Sequence, residues 1–210
     1  MTPASLEALA NLRHTEHLTW SVIPLLAIAY YVYANEIRQK NWNVVLAGLA
    51  FWGMDWLNEI INGLVLHYTQ YSALWTAPGR SSYTIFVGLN VEICFMFAIA
   101  GVALAKILPE DPKKKILGIN NRLFIAVANS VFCVFVEILL NRADMLIWAY
   151  PFWNVPNVFL IVIFGYLHFH LVAFWVHDMK KMRSKLITVG TLYSLALVGV
   201  LVFGVGLMWI

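Results

Sequence analysis

Four acidic residues, Asp55, Glu59, Glu92 and Glu137, stand inside long apolar runs of this sequence. A carboxyl group in such surroundings must be protonated or paired, because an isolated ionised carboxylate is costly to bury. No Lys or Arg occurs at the same level to neutralise them, and Arg142 lies at a helix end. The expected outcome is a shared proton, and a protonated buried carboxylic acid is a proton donor. Asp55 and Glu59 are one helical turn apart and share a face, which Trp52 and Asn62 extend. Asn90 and Glu92 occupy the outer half of the next apolar run. Ser130, Cys133, Glu137, Asn141 and Asp144 then follow one another at steps of three and four. With Asp55 near the midplane, the three glutamates lie about 4–8 Å to one side of it at the helical rise per residue. One slab of membrane therefore holds four carboxyls from three helices.

Other chemistry is less well supplied. His168 and His170 are two apart on a helix and point to different faces, so they are poorly placed to chelate one metal. His168 is expected to line the site. Cys94 and Cys133 both fall within apolar runs and read as small core residues rather than a disulfide or a metal pair. Neither a metal nor an organic cofactor is expected. Trp52 and Trp56 flank Asp55, and an aromatic face can stabilise a cation. Asn62, Asn90 and Asn141 are expected to help bind a substrate, Asn141 also by orienting Glu137 from one turn away.

These residues must be positioned by membrane helices. The chain has 210 residues, of which 61% are hydrophobic and only 12% charged. That balance excludes a disordered chain, a nucleic-acid-binding domain and an ordinary soluble enzyme. Six apolar stretches, near 18–35, 43–66, 83–107, 121–143, 156–177 and 185–209, predict an all-α polytopic integral membrane bundle. The whole of 1–210 reads as a single transmembrane domain with six transmembrane helices. Turn residues mark the connections: Pro78-Gly79, Pro109 and Pro112, and Pro151 and Pro156.

The basic residues set an expected topology. Arg38, Lys40, Lys106, Lys113, Lys114, Lys115, Arg122, Lys180, Lys181, Arg183 and Lys185 fall on one side, against Arg13, Arg80 and Arg142 on the other. This places both termini outside (or in a lumen) and the basic loops in the cytosol. The first residues lack the basic stretch and short apolar core of a cleaved signal peptide. Trp75, Trp148, Tyr150, Phe152 and Trp153 fit an aromatic belt at the outer interface. Gly199, Gly204 and Gly206 on the last helix suit close packing within the chain or in a homodimer.

The stretches DWLNEIINGLVLHY, SALWTAPGRSSYTIF, NVEICFMF and SVFCVFVEILLNRAD carry a resemblance. Over about residues 50–180 the chain resembles the emopamil-binding protein and sterol isomerase group, the EXPERA membrane domain. The resemblance implies that Glu59 and Glu92 handle protons and that Glu137 is the acidic residue of the following helix. Asp55 stands where that group has a His, and the group's Asn and Trp of the fifth helix fall near Gly165 and His168. A sixth helix is an addition to the group's five. Size, helix content and acidic residues are also similar to those of small integral-membrane terpene cyclases.

Both comparisons imply an enzyme that protonates a double bond or epoxide of a sterol-like or isoprenoid substrate and removes a different proton afterwards. Isomerisation or ring closure results. The expected acid/base pair is Glu59 and Glu92, with Asp55 and Glu137 tuning proton sharing. The expected partners are a hydrophobic small molecule and membrane lipids. Two other classes remain open: a proton-coupled transporter or channel, and a non-catalytic lipid or sterol binder.

Overall fold

The computed structural model describes residues 1–79 and 83–210. Arg80, counted above on the outer side, lies outside the described residues together with Ser81 and Ser82. A short helix α1 (Pro3–Ala10) is followed by α2 (Val22–Arg38), α3 (Trp42–Thr69), α4 (Val91–Lys106), α5 (Asn121–Arg142), α6 (Val158–Asp178) and α7 (Met182–Gly206). Two small antiparallel hairpins interrupt the helices: β1 (Thr84–Phe86) with β2 (Leu89–Asn90), and β3 (Lys115–Ile116) with β4 (Ile119–Asn120).

Each hairpin ends on an asparagine that starts the next helix. Asn90 accepts a hydrogen bond from the Ile93 amide, and Asn120 accepts from the amides of Arg122 and Leu123. Such caps satisfy donors that the first helical turn leaves over, a contribution of about 1 kcal/mol each. Asn90 itself is extended, so the helix expected from residue 83 begins only at Val91. At the other end of α3, Gln70 turns the chain in the left-handed region at φ 51°, and its amide donates to the Leu66 carbonyl.

Among the described residues four helices, α3, α5, α6 and α7, are long and apolar enough to cross a membrane. The expectation of six spans is corrected accordingly. Helix α2 has 17 residues and α4 has 16. At 1.5 Å per residue they rise about 24–26 Å, short of the roughly 30 Å hydrocarbon core.

Helix α3 is the centre of the bundle, packing on α4, α6 and α7, while α2 lies across α3 and α4. The α3–α4 crossing is tight because glycine faces glycine: a Cβ on Gly101 would stand 2.7 Å from the Gly48 carbonyl oxygen. Tyr33 of α2 donates to the Ala98 carbonyl and Tyr193 of α7 to the Leu49 carbonyl, so both satisfy a phenol within the bundle. Gly199 of α7 rests on Ile60 of α3, and Gly204 sits beside Arg13 and Ile210. Helix α5 is different. It packs along α6 and makes no comparable contact with α3 or α4.

The helix ends that carry basic residues are tied together. Arg122 donates to both carboxylate oxygens of Asp178 at 2.8 Å and also to the Pro109 carbonyl, and buried Lys185 donates to the His177 carbonyl. Glu36, 1% exposed, accepts from Lys106 at 2.6 Å and from Asn41 at 2.8 Å. The Lys106 and Asn41 hydrogen bonds hold its carboxyl below the ordinary value of 4.5. A depressed carboxyl stabilises the fold above its unfolded value, and that stability disappears as pH falls through the folded value. The unfolding midpoint of the detergent-solubilised protein is therefore expected to drop as pH falls below the ordinary value of 4.5, and Glu36→Gln should remove that part of the drop.

Candidate functional site

Because α5 stands off from α3 and α4, a cavity of about 200 Å³ lies between them, closed behind by α6. Its lining includes Asp55, Asn58 and Glu59 from α3, Glu137 and Cys133 from α5, and Trp75 from the loop after α3. The remaining wall is apolar, and its aromatic members are Phe51, Phe97, Phe132, Trp153, Tyr166 and Phe169. Phe97 and Tyr166 stack with ring centroids 6.2 Å apart, and Trp75 stacks on Trp153 at 6.0 Å. No Lys, Arg or His lines the cavity among the described residues.

Three carboxyls thus meet here without a counter-charge. Asp55 is 3% exposed and Glu59 2%. Glu59 Oε1 accepts from the Trp75 indole Nε1 at 2.7 Å, and Glu137 Oε1 accepts from the Tyr166 hydroxyl at 2.7 Å. The second oxygen of each, Oε2, and Oδ2 of Asp55 have no hydrogen-bond partner among the described residues. An indole nitrogen can only donate. Accepting from the indole at Oε1 favours Oε2 as the oxygen that carries a proton when Glu59 is protonated. Like charges gathered in one apolar site disfavour one another, an arrangement that favours shared protons over three carboxylates.

Local backbone features aim these groups. Asn62, fully buried, accepts from the Leu74 amide at 2.8 Å and donates to the Trp75 carbonyl at 2.8 Å, which clamps the loop and holds the indole over Glu59. Residues Ile161–Leu167 of α6 form a π-helical stretch, a distortion often found at functional sites. The Tyr166 carbonyl is met by Nδ1 of His170 at 3.0 Å, and Ser130 Oγ lies 3.1 Å from the same nitrogen. A carbonyl only accepts, so Nδ1 carries the hydrogen. His170, fully buried, thereby anchors the turn that delivers Tyr166 to Glu137.

Several expected site residues have other work. Glu92 stands in the first turn of α4, half-buried, where a negative charge suits the helix N-terminus, with Ser21 Oγ at 3.5 Å. It does not line the cavity, and the structure does not bring it to Asp55, Glu59 and Glu137. Asn90 caps α4, and Asn141 donates to the Leu146 carbonyl at the end of α5. Trp52 donates to Cys94 Sγ at 3.3 Å, and His168 packs edge-on against Phe169. Asn62 acts through Trp75. Sequence spacing missed Trp75, Tyr166 and Trp153, which come from loops or from a distorted helix whose phase no periodicity predicts.

A family model described as an uncharacterized membrane protein family matches residues 2–205. The chain belongs to that family. A protein of Archaeoglobus fulgidus described as uncharacterized is 55% identical over 184 residues, covering 88% of this chain and 87% of the relative. A second from the same organism is 39% identical over 56 residues, 27% of this chain and the whole of that relative. No solved structure matches. Membership of this family overturns the resemblance to the sterol isomerase group and to the membrane terpene cyclases, neither of which was matched. The shared impression arose from acidic residues at helical spacing in apolar runs, a pattern that buried carboxyls produce in any helical bundle.

Within this family member, Gly88 is a sensitive point of the cavity wall. A Cβ there would stand 2.5 Å from Trp75 Nε1 and 2.6 Å from Asn62 Nδ2. Gly88→Ala is expected to push the indole off Glu59 while leaving the bundle folded. Tryptophan fluorescence should shift, and Trp75→Phe should lack that shift when combined with Gly88→Ala.

Proposed function

We propose that this protein is an integral-membrane enzyme that moves protons on an unsaturated, lipid-soluble substrate of isoprenoid type. The observation that carries the reading is the trio Asp55, Glu59 and Glu137 around one apolar, partly aromatic cavity, each with an oxygen unpartnered and with no basic side chain in the lining among the described residues. Glu59 gives the Oε2 proton to one carbon of a double bond. The π electron pair forms the new C–H bond, and the neighbouring carbon becomes cationic. Carboxylates and the faces of Phe97, Trp153 and Tyr166 stabilise that cation. Glu137 or Asp55 then removes a proton from an adjacent carbon, and the C–H pair restores a double bond at a new place. Attack on the cation by a second double bond before this step closes a ring instead. Water exclusion by the apolar wall protects the cation.

The basic residues between α4 and α5 and between α6 and α7 support placing those two loops in the cytosol. The reading is tested with purified protein in lipid nanodiscs, incubated with geranylgeraniol or squalene in heavy water. Deuterium appearing on carbon supports it. Proton flux in proteoliposomes without any deuterium on carbon overturns it in favour of a transporter, and binding without either overturns it in favour of a passive binder.

A further inference from the structure

The cavity has a mouth, and its position says what can enter. Met96 of α4 and Phe132 of α5 line the cavity and are also 48% and 61% exposed on the outside of the bundle. They stand on the two helices that do not pack together. Phe132 lies eleven residues into α5 from Asn121 and ten from Arg142, so the mouth opens about 15 Å from either end of that helix. Only 22% of the apolar window of α5 is buried, against 56% for α3. The flanks of the opening are apolar too: Val131, Phe135 and Leu139 of α5 are exposed. An opening at this depth faces hydrocarbon rather than water.

We propose that the cavity is loaded sideways from the bilayer between α4 and α5, and that it takes an uncharged, lipid-dissolved molecule. The interior supplies the second half of the statement. Three carboxyls line it, and no basic side chain among the described residues does. A phosphate, diphosphate or carboxylate headgroup would meet like charge with no cation to bind it. An alcohol can donate to Asp55, Glu59 or Glu137, an alcohol or ether oxygen can accept from the unpartnered indole Nε1 of buried Trp153, and a hydrocarbon, with no hydrogen bond to make, meets the apolar wall. Substrates that are lipid phosphates must therefore lose that group in a separate hydrolytic reaction before they reach this site.

The inference rests on the cavity being the functional site but not on the proton chemistry, so it has its own readout. The full chain in nanodiscs is illuminated with a geranylgeraniol analogue that carries an alkyl diazirine, and labelled residues are mapped by mass spectrometry. The expected labels are Glu59, Cys133 or Glu137. The phosphate monoester of the same analogue should leave them unlabelled. Met96→Trp and Phe132→Trp, which enlarge side chains already in contact with lipid, should each lose the internal labels while keeping the unfolding midpoint. Absence of internal labelling in the native protein, equal labelling by the phosphate, or unchanged labelling in both tryptophan variants each overturns the proposal. Internal labelling without deuterium transfer leaves the portal standing and removes only the enzymatic reading.

Discussion

Glu59→Gln is expected to lower deuterium transfer to substrate by about 10²–10⁴-fold, the usual contribution of a positioned general acid. The substitution keeps the shape and the acceptor for Trp75, because the amide oxygen can take the place of Oε1 at the indole. What it removes is the ionisable proton on the other atom. The fold should tolerate it, since a buried carboxyl without a counter-ion is being replaced by a neutral group of equal size. Glu137→Gln should behave in the same way, keeping an acceptor for Tyr166. Glu92→Gln is the control. Glu92 lies outside the cavity lining, so its variant should retain transfer. Parallel assays of the three variants, each checked for an unchanged unfolding midpoint, decide the matter. Loss in Glu92→Gln with full activity in Glu59→Gln would reverse the assignment.

How far the site was legible in the sequence can be argued from particular residues. Asp55 and Glu59 were legible because one straight helix carries both, and a four-residue step on a helix fixes their common face. Glu137 was legible for the same reason on α5. Glu92 misled because its depth was inferred from a helix expected to start near residue 83. The hairpin and the Asn90 cap begin the helix at Val91 and put Glu92 in its first turn. Depth in the membrane alone does not place a side chain in a cavity; the angle around the helix decides. The asparagines misled in another way. Asn62, Asn90 and Asn141 are polar among apolar residues, but each spends its hydrogen bonds on backbone groups at a loop or a helix end. Unpaired backbone groups inside an apolar bundle need such partners, and this need by itself places polar residues in apolar surroundings. Helices α3, α5, α6 and α7 were legible as spans from hydropathy, but the short length of α4 was not, because the Asn90 cap rather than apolar content begins it.

Gly101→Leu is expected to be the most damaging single substitution in the bundle. Helices α3 and α4 approach so closely that a Cβ on Gly101 meets the Gly48 carbonyl oxygen at 2.7 Å, the Gly48 Cα at 3.0 Å and Phe51 Cβ at 3.0 Å. All three are backbone or bonded directly to it, so no rotamer change relieves the clash. Overpacking that side chains can absorb costs about 1–3 kcal/mol, and a clash with backbone exceeds that range. The helices must separate, and the first side chains to move are Phe51 and Phe97, whose rings stack at 5.7 Å and form one wall of the cavity. Stability and cavity shape should thus fail together. Gly190→Leu provides the comparison within the same molecule, since nothing lies within 4 Å of a Cβ at that exposed position of α7. The thermal midpoint in detergent should fall steeply for Gly101→Leu and stay near the native value for Gly190→Leu. Gly101→Ala should fall between them. Equal midpoints for the two leucine variants would mean that α3 and α4 are not held in contact at this crossing, and the wall that holds Phe51 and Phe97 beside the carboxyls would lose its physical basis.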